Sequence, residues 1–322
     1  MRFALTDEHT ALARGVRDAL VRVCPPERVR AASEGPLDRG LWGALAELGL
    51  FSLRVPVSHE GLGLGALDAA LALEELGRAA VPGPVAETLA VAAPLLANTP
   101  WAARIASGEV IVAVADPFAP HVPWAADADA VLVPTTEGYV CLPRADYTTA
   151  GRDSVDPTRR LAQVSARPGV ESRPTYGGGQ VLDLGALAAA AQLVGLGRAM
   201  LDRTVAYAQV REQFGQPIGA FQAVKHTLAD ALLALEFARP QVLAAAWALD
   251  AGEADASMRV SMAKATASDA AWQAARAALQ VHGAIAYTTE YDLHLWMKRT
   301  WALAAAWGDA AFHRARVADF TL

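Results

Sequence analysis

The sequence predicts a mainly α-helical protein with one small β domain in its middle. The first third of the chain places apolar residues at helical spacing, whereas the middle holds short β-prone runs divided by Pro, Asp and Gly. The remainder is helical again, in long segments rich in Ala and Leu. We therefore expect an N-terminal helical domain over residues 1–108, a middle β domain over 109–181 and a C-terminal four-helix bundle over 182–322.

The first helix carries a clear start signal. Thr6 is predicted to be its N-cap, because a hydroxyl at this position accepts a hydrogen bond from the first turn and two acidic residues, Asp7 and Glu8, follow. Pro25-Pro26 then ends or restarts the helix. The predicted buried face consists of Leu12, Val16, Ala19, Leu20 and Val23.

Two further helices are predicted in the N-terminal domain. One runs through Leu41 to Leu48 and stops at Gly49, a residue suited to a helix end. A glycine-punctuated loop from Val55-Pro56 to Gly65 separates it from the second helix, Ala66 to Gly77.

The predicted strands and bundle helices follow in turn. The strands are Val110 to Val114, Ala130 to Val133 and Tyr139 to Leu142. The triplet Gly177-Gly178-Gly179 is predicted to be a flexible joint before the bundle. The four bundle helices are predicted over Gly185 to Val210, Ala220 to Ala251, Ala254 to Gln280 and Tyr291 to Asp319.

Composition excludes several classes of function. With 53% hydrophobic residues among 322, the chain can bury a large core. Its 28 Lys and Arg against 34 Asp and Glu give a net charge of −6, which offers no long-range attraction to nucleic acid or to an anionic membrane. Cys24 and Cys141 form neither a metal-ligand pattern nor a disulfide framework, so we expect two inert thiols and no metal.

The sequence also favours a cytoplasmic protein without a membrane span. The N-terminus enters an amphipathic pattern directly, without the apolar core and cleavage site of a signal peptide. The apolar stretch Leu184 to Leu201 is dominated by alanine, which is only weakly apolar, and Arg198, Asp202 and Arg203 lie at its end. We therefore expect a buried bundle helix there.

The segment Arg211 to Gln222 carries the most functional information. Gly215, Pro217 and Gly219 force a tight turn between two helices, with a cation, aromatic rings and amides crowded around it. Such a turn can offer a bidentate donor to a diphosphate and a flat surface to a ring. From composition alone, an ordinary interhelical loop whose arginine caps a helix C-terminus is the alternative.

The whole string resembles the signature of acyl-CoA dehydrogenases, and most of the chain shares in the resemblance. Further similar segments are Phe3 to His9, Leu48 to Leu50, Val55-Pro56, Gly61 to Gly63, Glu74 to Arg78, Gln280 to Tyr291 and Lys298-Arg299. In this family each FAD is shared across a subunit interface. The residues that the resemblance assigns to FAD are Arg211, Gln213, Phe214, Phe221, Gln222, Gln280, His282 and Gly283.

The same resemblance also implies a role for each of these residues. Arg211 would anchor the diphosphate, Phe214 and Phe221 would support the adenine side, and Gln222 with the Gln280 to Gly283 backbone would complete the polar contacts. Ala284 stands where a glycine is usual, so its methyl group narrows access to the backbone.

The catalytic carboxylate of the family is missing, so no catalytic residue is assigned. Family members remove an α proton with a carboxylate while the flavin takes the β hydride. The usual Glu-Gly pair of the last helix falls on Gly308-Asp309, after Trp307. The other place where members carry the glutamate falls on Gly185, and the arginine expected beside it is Ala186.

The middle domain departs from the family pattern as well. The elements that normally line the flavin ring are replaced by Ala115 to Pro120 and by Trp124 to Asp127, and the domain is short. Asp309 is a displaced candidate base, although a one-residue step rotates a side chain by roughly 100° and an exposed or capping aspartate is the simpler interpretation. Glu290 is a weaker candidate. His282 and His294 lack a clustered partner and are expected on a surface or helix face.

Three functions remain open from the sequence. The first is a non-catalytic half-site subunit of a heteromeric acyl-CoA dehydrogenase, with two copies of each chain, resembling the actinobacterial assemblies that degrade steroids. Its implied partners are a catalytic subunit, an acyl-CoA and an electron-transfer flavoprotein or similar acceptor. The second is a self-sufficient homo-oligomeric dehydrogenase that uses Asp309. The third is a flavin-free scaffold subunit.

Overall fold

The computed structural model describes residues 4–168, 175–177 and 179–321. In the described residues a 3-10 helix, Val57–His59, and a π-helical stretch, Thr88–Ala92, accompany the seven α-helices that precede the strands. The α-helices are α1 Asp7–Val23, α2 Pro26–Ala31, α3 Arg39–Glu47, α4 Ala66–Arg78, α5 Val85–Glu87, α6 Ala93–Leu95 and α7 Trp101–Ala106.

The predicted start of α1 is confirmed. The Thr6 hydroxyl accepts from the His9 N–H at 3.2 Å, and the Thr6 N–H donates to the His9 ring at 3.3 Å, which closes a capping box. Val16, Ala19 and Leu20 are buried, as the predicted face requires. Pro25 becomes the N-cap of α2, so the proline pair restarts the helix.

The β domain consists of two small sheets. All three predicted strands exist, whereas the sequence did not single out the other strands. The strands are β1 Val112–Val114, β2 His121–Pro123, β3 Ala130–Thr135, β4 Gly138–Pro143, β5 Tyr147–Gly151, β6 Leu161–Ala166 and β7 Thr175–Tyr176. One sheet has the order β1-β3-β4-β7, with β1 parallel to β3 and the other pairs antiparallel. The second is antiparallel, in the order β2-β6-β5.

The C-terminal helices build the bundle. They are α8 Gly179–Val210, α9 Gln222–Ala251, α10 Ala256–His282, α11 Leu293–Ala305 and α12 Ala310–Thr321. The predicted flexible joint is wrong at Gly179, which already begins α8, because the long apolar segment extends its helix to include this glycine; Gly178 lies outside the described residues.

The predicted single helix from Tyr291 to Asp319 is also wrong. The chain breaks between α11 and α12, where Trp307 and Gly308 have φ angles of 60° and 89°. A residue with a positive φ cannot continue a right-handed helix. The contacts that hold Trp307 and Gly308 in this conformation come from other parts of the fold.

Two glycines bring the N-terminal domain directly against the bundle. A Cβ at Gly195 in α8 would lie 1.8 Å from the Glu74 carbonyl oxygen in α4, and one at Gly77 would lie 2.2 Å from the Gln192 carbonyl oxygen. Only glycine permits this approach of the two backbones. The ion pair between Arg239 and Glu74, at 2.8 Å, adds a contact between α9 and α4.

Two helices are long and apolar enough to cross a membrane by length and composition alone, which is weak evidence. In Gln180–Val210 the apolar window is 94% buried inside the fold, which confirms the predicted core helix. The corresponding window of Gln222–Ala251 is only 33% buried, so α9 presents an apolar face outward.

Candidate functional site

The segment after α8 forms a short two-stranded hairpin. Strand β8, Glu212–Gln213, pairs with β9, Gln216–Pro217, around a two-residue turn of Phe214 and Gly215. Both turn residues have positive φ angles, 53° and 80°, as the tightest hairpin turn requires. The predicted tight turn is therefore confirmed.

This hairpin presents its functional groups outward. The Phe214 side chain is 92% exposed and lies perpendicular to Phe221, with ring centroids 6.1 Å apart. Gln213 and Gln222 are exposed as well. The Arg211 guanidinium is exposed and makes no ion pair or hydrogen bond to the described residues, whereas its backbone carbonyl accepts from the Ile218 N–H at 2.7 Å.

The second predicted nucleotide-binding stretch lies at the C-terminal end of α10. Gln280 is exposed, and Gly283 ends the helix with a φ of 66°. His282, which was expected on a surface or helix face, is instead buried. Its Nδ1 donates to the Ala278 carbonyl at 2.8 Å, and in that tautomer its Nε2 accepts from the Tyr291 hydroxyl at 3.3 Å. Burial lowers the pKa of His282 and favours the neutral ring.

Tyr207 brings the two stretches together. Its ring stacks on His282 at 4.3 Å, and its backbone carbonyl accepts from the Arg211 N–H at 2.9 Å. The hairpin and the Gln280–Gly283 turn therefore lie at the same end of the bundle. Two segments about 70 positions apart in the sequence are joined by a tyrosine that sequence reasoning had not singled out.

Glycine stands at both positions expected for a catalytic carboxylate, and at each an added Cβ would meet an aromatic side chain, which at Gly308 is Phe312 at 2.5 Å. A Cβ at Gly185 would lie 2.3 Å from the Trp307 indole, and Trp307 is only 4% exposed. The backbone N–H of Trp307 donates to the Asp116 carboxylate at 2.5 Å, which links the α11–α12 turn to the β domain. Ala186 is fully buried. Within the described chain, the indole fills this space.

A buried polar cluster supports the same turn and was missed from the sequence. The Lys264 amine is fully buried and donates to the Ala304 carbonyl at 3.1 Å, the Gly308 carbonyl at 3.0 Å and the Ser268 hydroxyl at 3.2 Å. Burial lowers its pKa to about 7. The available signal was a single lysine on the alanine-rich face of α10.

His313 completes this cluster from α12. It is fully buried, its Nε2 donates to the Trp307 carbonyl at 2.9 Å, and its Nδ1 accepts from the Ser261 hydroxyl at 3.1 Å. Burial lowers the pKa of His313 to about 4, so the ring is neutral near pH 7. The cluster therefore holds hydrogen bonds around the turn, while both oxygens of the nearby Asp116 carboxylate accept from backbone N–H groups, those of Trp307 and Phe118.

Two family models match most of the chain. Residues 6–102 match the acyl-CoA dehydrogenase N-terminal domain, and residues 179–322 match the acyl-CoA dehydrogenase C-terminal domain. Acyl-CoA dehydrogenase IpdE2 of Mycobacterium tuberculosis (strain ATCC 25618 / H37Rv) is 36% identical over 301 residues, which cover 91% of each protein. The chain belongs to the acyl-CoA dehydrogenase family.

Solved structures of heteromeric relatives share the fold of this acyl-CoA dehydrogenase chain. The ChsE4-ChsE5 complex from Mycobacterium tuberculosis matches with a TM-score of 0.89 and 24% identity, over 100% of this chain and 99% of that one. The Tcur3481-Tcur3483 steroid ACAD, in its G363A variant, also gives 0.89 at 24% identity, over 98% of each. At these identities the likeness establishes the fold, helical domain, β domain and helical bundle, as predicted.

The remaining candidate acids of this family member lie at the surface. Asp309 is exposed, and its carboxylate accepts from the Phe312 N–H at 2.8 Å, which makes it the cap of α12. Glu290 is exposed in the turn before α11. His294 is buried, contrary to expectation, and neither of its ring nitrogens finds a partner among the described residues.

Proposed function

We propose that this chain is a non-catalytic subunit that supplies the nucleotide-binding part of an FAD site to a catalytic acyl-CoA dehydrogenase subunit. The observation that carries the proposal is a contrast within one chain. The hairpin with Arg211 and Phe214 is exposed, whereas glycine stands at both places expected for the catalytic carboxylate, and Trp307 covers the one at Gly185. We infer that the exposed hairpin residues contact a ligand that is held largely by another chain.

The exposed residues fit the nucleotide half of FAD chemically. The guanidinium of Arg211 has its donors available for a diphosphate, with which it can form paired hydrogen bonds. The exposed ring of Phe214, set against Phe221, offers an apolar face for adenine. Gln213, Gln222, Gln280 and the backbone at Gly283 would supply polar contacts at the same end of the bundle. When bound, the flavin accepts the hydride that an acyl-CoA loses.

The outer face of α9 supports an assembly with other subunits. Leu232, Leu233 and Phe237 are 40%, 56% and 66% exposed on this one helix. Apolar side chains grouped in this way are typical of protein interfaces. The proposed assembly is a heterotetramer with two copies of each chain, in which the catalytic subunit binds the acyl-CoA and an electron-transfer flavoprotein or similar acceptor reoxidises the flavin. A steroid-derived CoA thioester is the proposed substrate class, in line with the solved steroid ACAD of the same fold.

The self-sufficient alternative depends on Asp309, whose carboxylate already caps α12 and is exposed. This placement argues against its acting as a base.

The scaffold alternative requires the same assembly without flavin. Absorbance of the purified complex therefore distinguishes it from the proposed half-site, since only the half-site complex carries a flavin spectrum.

The test is co-expression of this chain with a full-length acyl-CoA dehydrogenase subunit encoded beside it. The complex is expected to contain FAD, and Arg211→Ala is expected to weaken FAD retention at least about tenfold, because a charge-assisted contact to the diphosphate is lost. Arg14→Ala, which changes an exposed arginine in α1, is the matched control and should leave flavin content unchanged. Full flavin content in the Arg211→Ala complex would overturn the proposal, and a wild-type complex without flavin would favour the scaffold.

A further inference from the structure

A cleft of about 330 Å³ lies between α1, α4, α8 and α11, away from the hairpin. Much of its lining is apolar, with Leu20, Val21, Ala79 and Ala199 among the contributors. Its volume is at the lower end of the range for small-molecule sites, so it fits a small ligand.

One cation in this cleft is held over an aromatic ring. The Arg203 guanidinium lies 3.8 Å from the centroid of the Trp296 ring, within cation–π distance. The indole itself is fixed, because its Nε1–H donates to the Arg78 backbone carbonyl at 2.9 Å. Both residues line the cleft.

The other charges around the cleft are already paired. Arg17 donates twice to Glu75, at 2.9 and 2.6 Å, and Arg78 forms an ion pair with Asp202. Arg203 has no ion pair or hydrogen bond to any residue that the structure describes. The nearby Asp292 carboxylate is engaged by Arg30 at 2.5 Å.

This arrangement leaves one positive charge unmatched beside an apolar lining. Arg203 is half-buried, and this burial lowers the pKa of its guanidinium. A cation in that position is stabilised by an anion, and its planar donors match a carboxylate. Cys24 also lines the cleft, but burial raises the pKa of its thiol to about 12, so it adds an apolar contact and no nucleophile.

We propose that this cleft binds a small amphipathic carboxylate, with the carboxylate on Arg203 and the apolar body against Leu20, Val21 and Ala199. The single unmatched charge favours one carboxylate over a multiply charged phosphate. The apolar lining favours a hydrocarbon chain over a polar body. This inference does not rest on the proposed flavin role, since no residue of the hairpin takes part.

The test uses octanoate as the probe and isothermal titration calorimetry of the full chain, or of its complex with the catalytic subunit. Octanoate is expected to bind at one saturable site, at least about tenfold more tightly than the neutral octanol, because only the acid pairs with Arg203. Arg203→Met should reduce octanoate affinity by at least the same factor. Arg22→Met, at an exposed arginine of α1 that does not line the cleft, should leave it unchanged.

A second variant covers the case in which Arg203→Met fails to fold. Val21 is 73% exposed at the cleft, so Val21→Glu should fold normally, place an anion in the cleft and abolish octanoate binding. Equal affinity for octanoate and octanol, equal affinity for octanoate and inorganic phosphate, unchanged binding by both cleft variants, or no saturable binding would each overturn the proposal. None of these outcomes depends on whether the complex contains FAD.

Discussion

At the scale of single residues, Gly185 and Trp307 define the closed centre of the molecule. The two positions are more than a hundred residues apart, yet a Cβ on Gly185 would meet the indole ring at 2.3 Å. The indole is rigid and buried, so it cannot move aside in the way a flexible side chain does. Glycine at position 185 therefore has two consequences. It lacks the carboxylate, and it leaves the room that the Trp307 indole needs for packing.

Gly185→Ala is predicted to lower the free energy of unfolding by about 1–3 kcal/mol, because the methyl group overpacks the site. This loss should exceed the gain of about 1 kcal/mol that alanine brings to a helix interior. Gly15→Ala in α1 is the matched control, since nothing lies within 4 Å of its Cβ, and it should stabilise the chain. Urea unfolding of both variants measures the difference. Equal stabilisation by the two substitutions would show that the indole does not occupy this space.

Lys264 predicts a specific dependence of stability on pH. Its pKa falls from an ordinary 10.5 to about 7 in the fold, so between these values the unfolded chain binds more protons than the folded chain. The free energy of unfolding should therefore rise with pH across this window, by up to about 1.4 kcal/mol per pH unit, and this contribution should be constant below pH 7.

Replacing the amine isolates this contribution. The difference in free energy of unfolding between the native chain and Lys264→Met should change between pH 7 and pH 9, measured by urea unfolding at each pH. Lys225→Met, at an exposed lysine of α9, should leave the slope of the native chain intact. A Lys264→Met chain with the same slope as the native chain would mean that the buried amine does not titrate in this range.

At the scale of elements, the turn between α11 and α12 is the main departure from the sequence prediction. Its conformation depends on the Asp116 carboxylate, which accepts from the Trp307 N–H, and on Lys264, which donates to the Gly308 carbonyl. Both partners come from distant parts of the chain. Local periodicity over Tyr291 to Asp319 is helical throughout, and the prediction passed over the one local sign of a break, Gly308 followed by the capping residue Asp309.

Asp309→Ala is predicted to cost about 1 kcal/mol of stability through loss of the α12 cap. It should not change turnover of an acyl-CoA by the complex with the catalytic subunit, because the carboxylate serves the Phe312 N–H. Asp309→Asn should retain most of the stability, since an amide oxygen also caps a helix. Steady-state assays and urea unfolding check the two parts separately. Loss of turnover in both variants would return Asp309 to a catalytic role.

The tight, exposed hairpin could be predicted from the sequence, whereas the core around Trp307 could not. The tight turn at Phe214 and Gly215 is encoded locally, since positive φ and a glycine go together. The burial of His282 depends on stacking by Tyr207, and that of Lys264 on carbonyls of α11 and its following turn. Contacts of this kind are tertiary, and a single sequence shows neither the partner nor the distance.

At the scale of the whole molecule, the hairpin and the region around Trp307 differ, because the side chains of the first are exposed and those of the second are buried. One end of the bundle exposes a hairpin with Phe214 and with an arginine, Arg211, that has no ion pair among the described residues. The region around Trp307 is filled by an indole and a buried polar cluster. An exposed α9 face adds a surface suited to another subunit. These features together support the proposal that this chain completes an FAD site in a partner subunit.

The number of flavins in the purified complex tests this account most directly. Quantitative absorbance together with native mass spectrometry gives FAD per chain for this protein alone and for its complex with the catalytic subunit. We expect no retained FAD in the isolated chain and, in the complex, one FAD for each copy of this chain, which is half of one per polypeptide. One FAD on every polypeptide, or stoichiometric FAD with acyl-CoA oxidation by this chain alone, would contradict it.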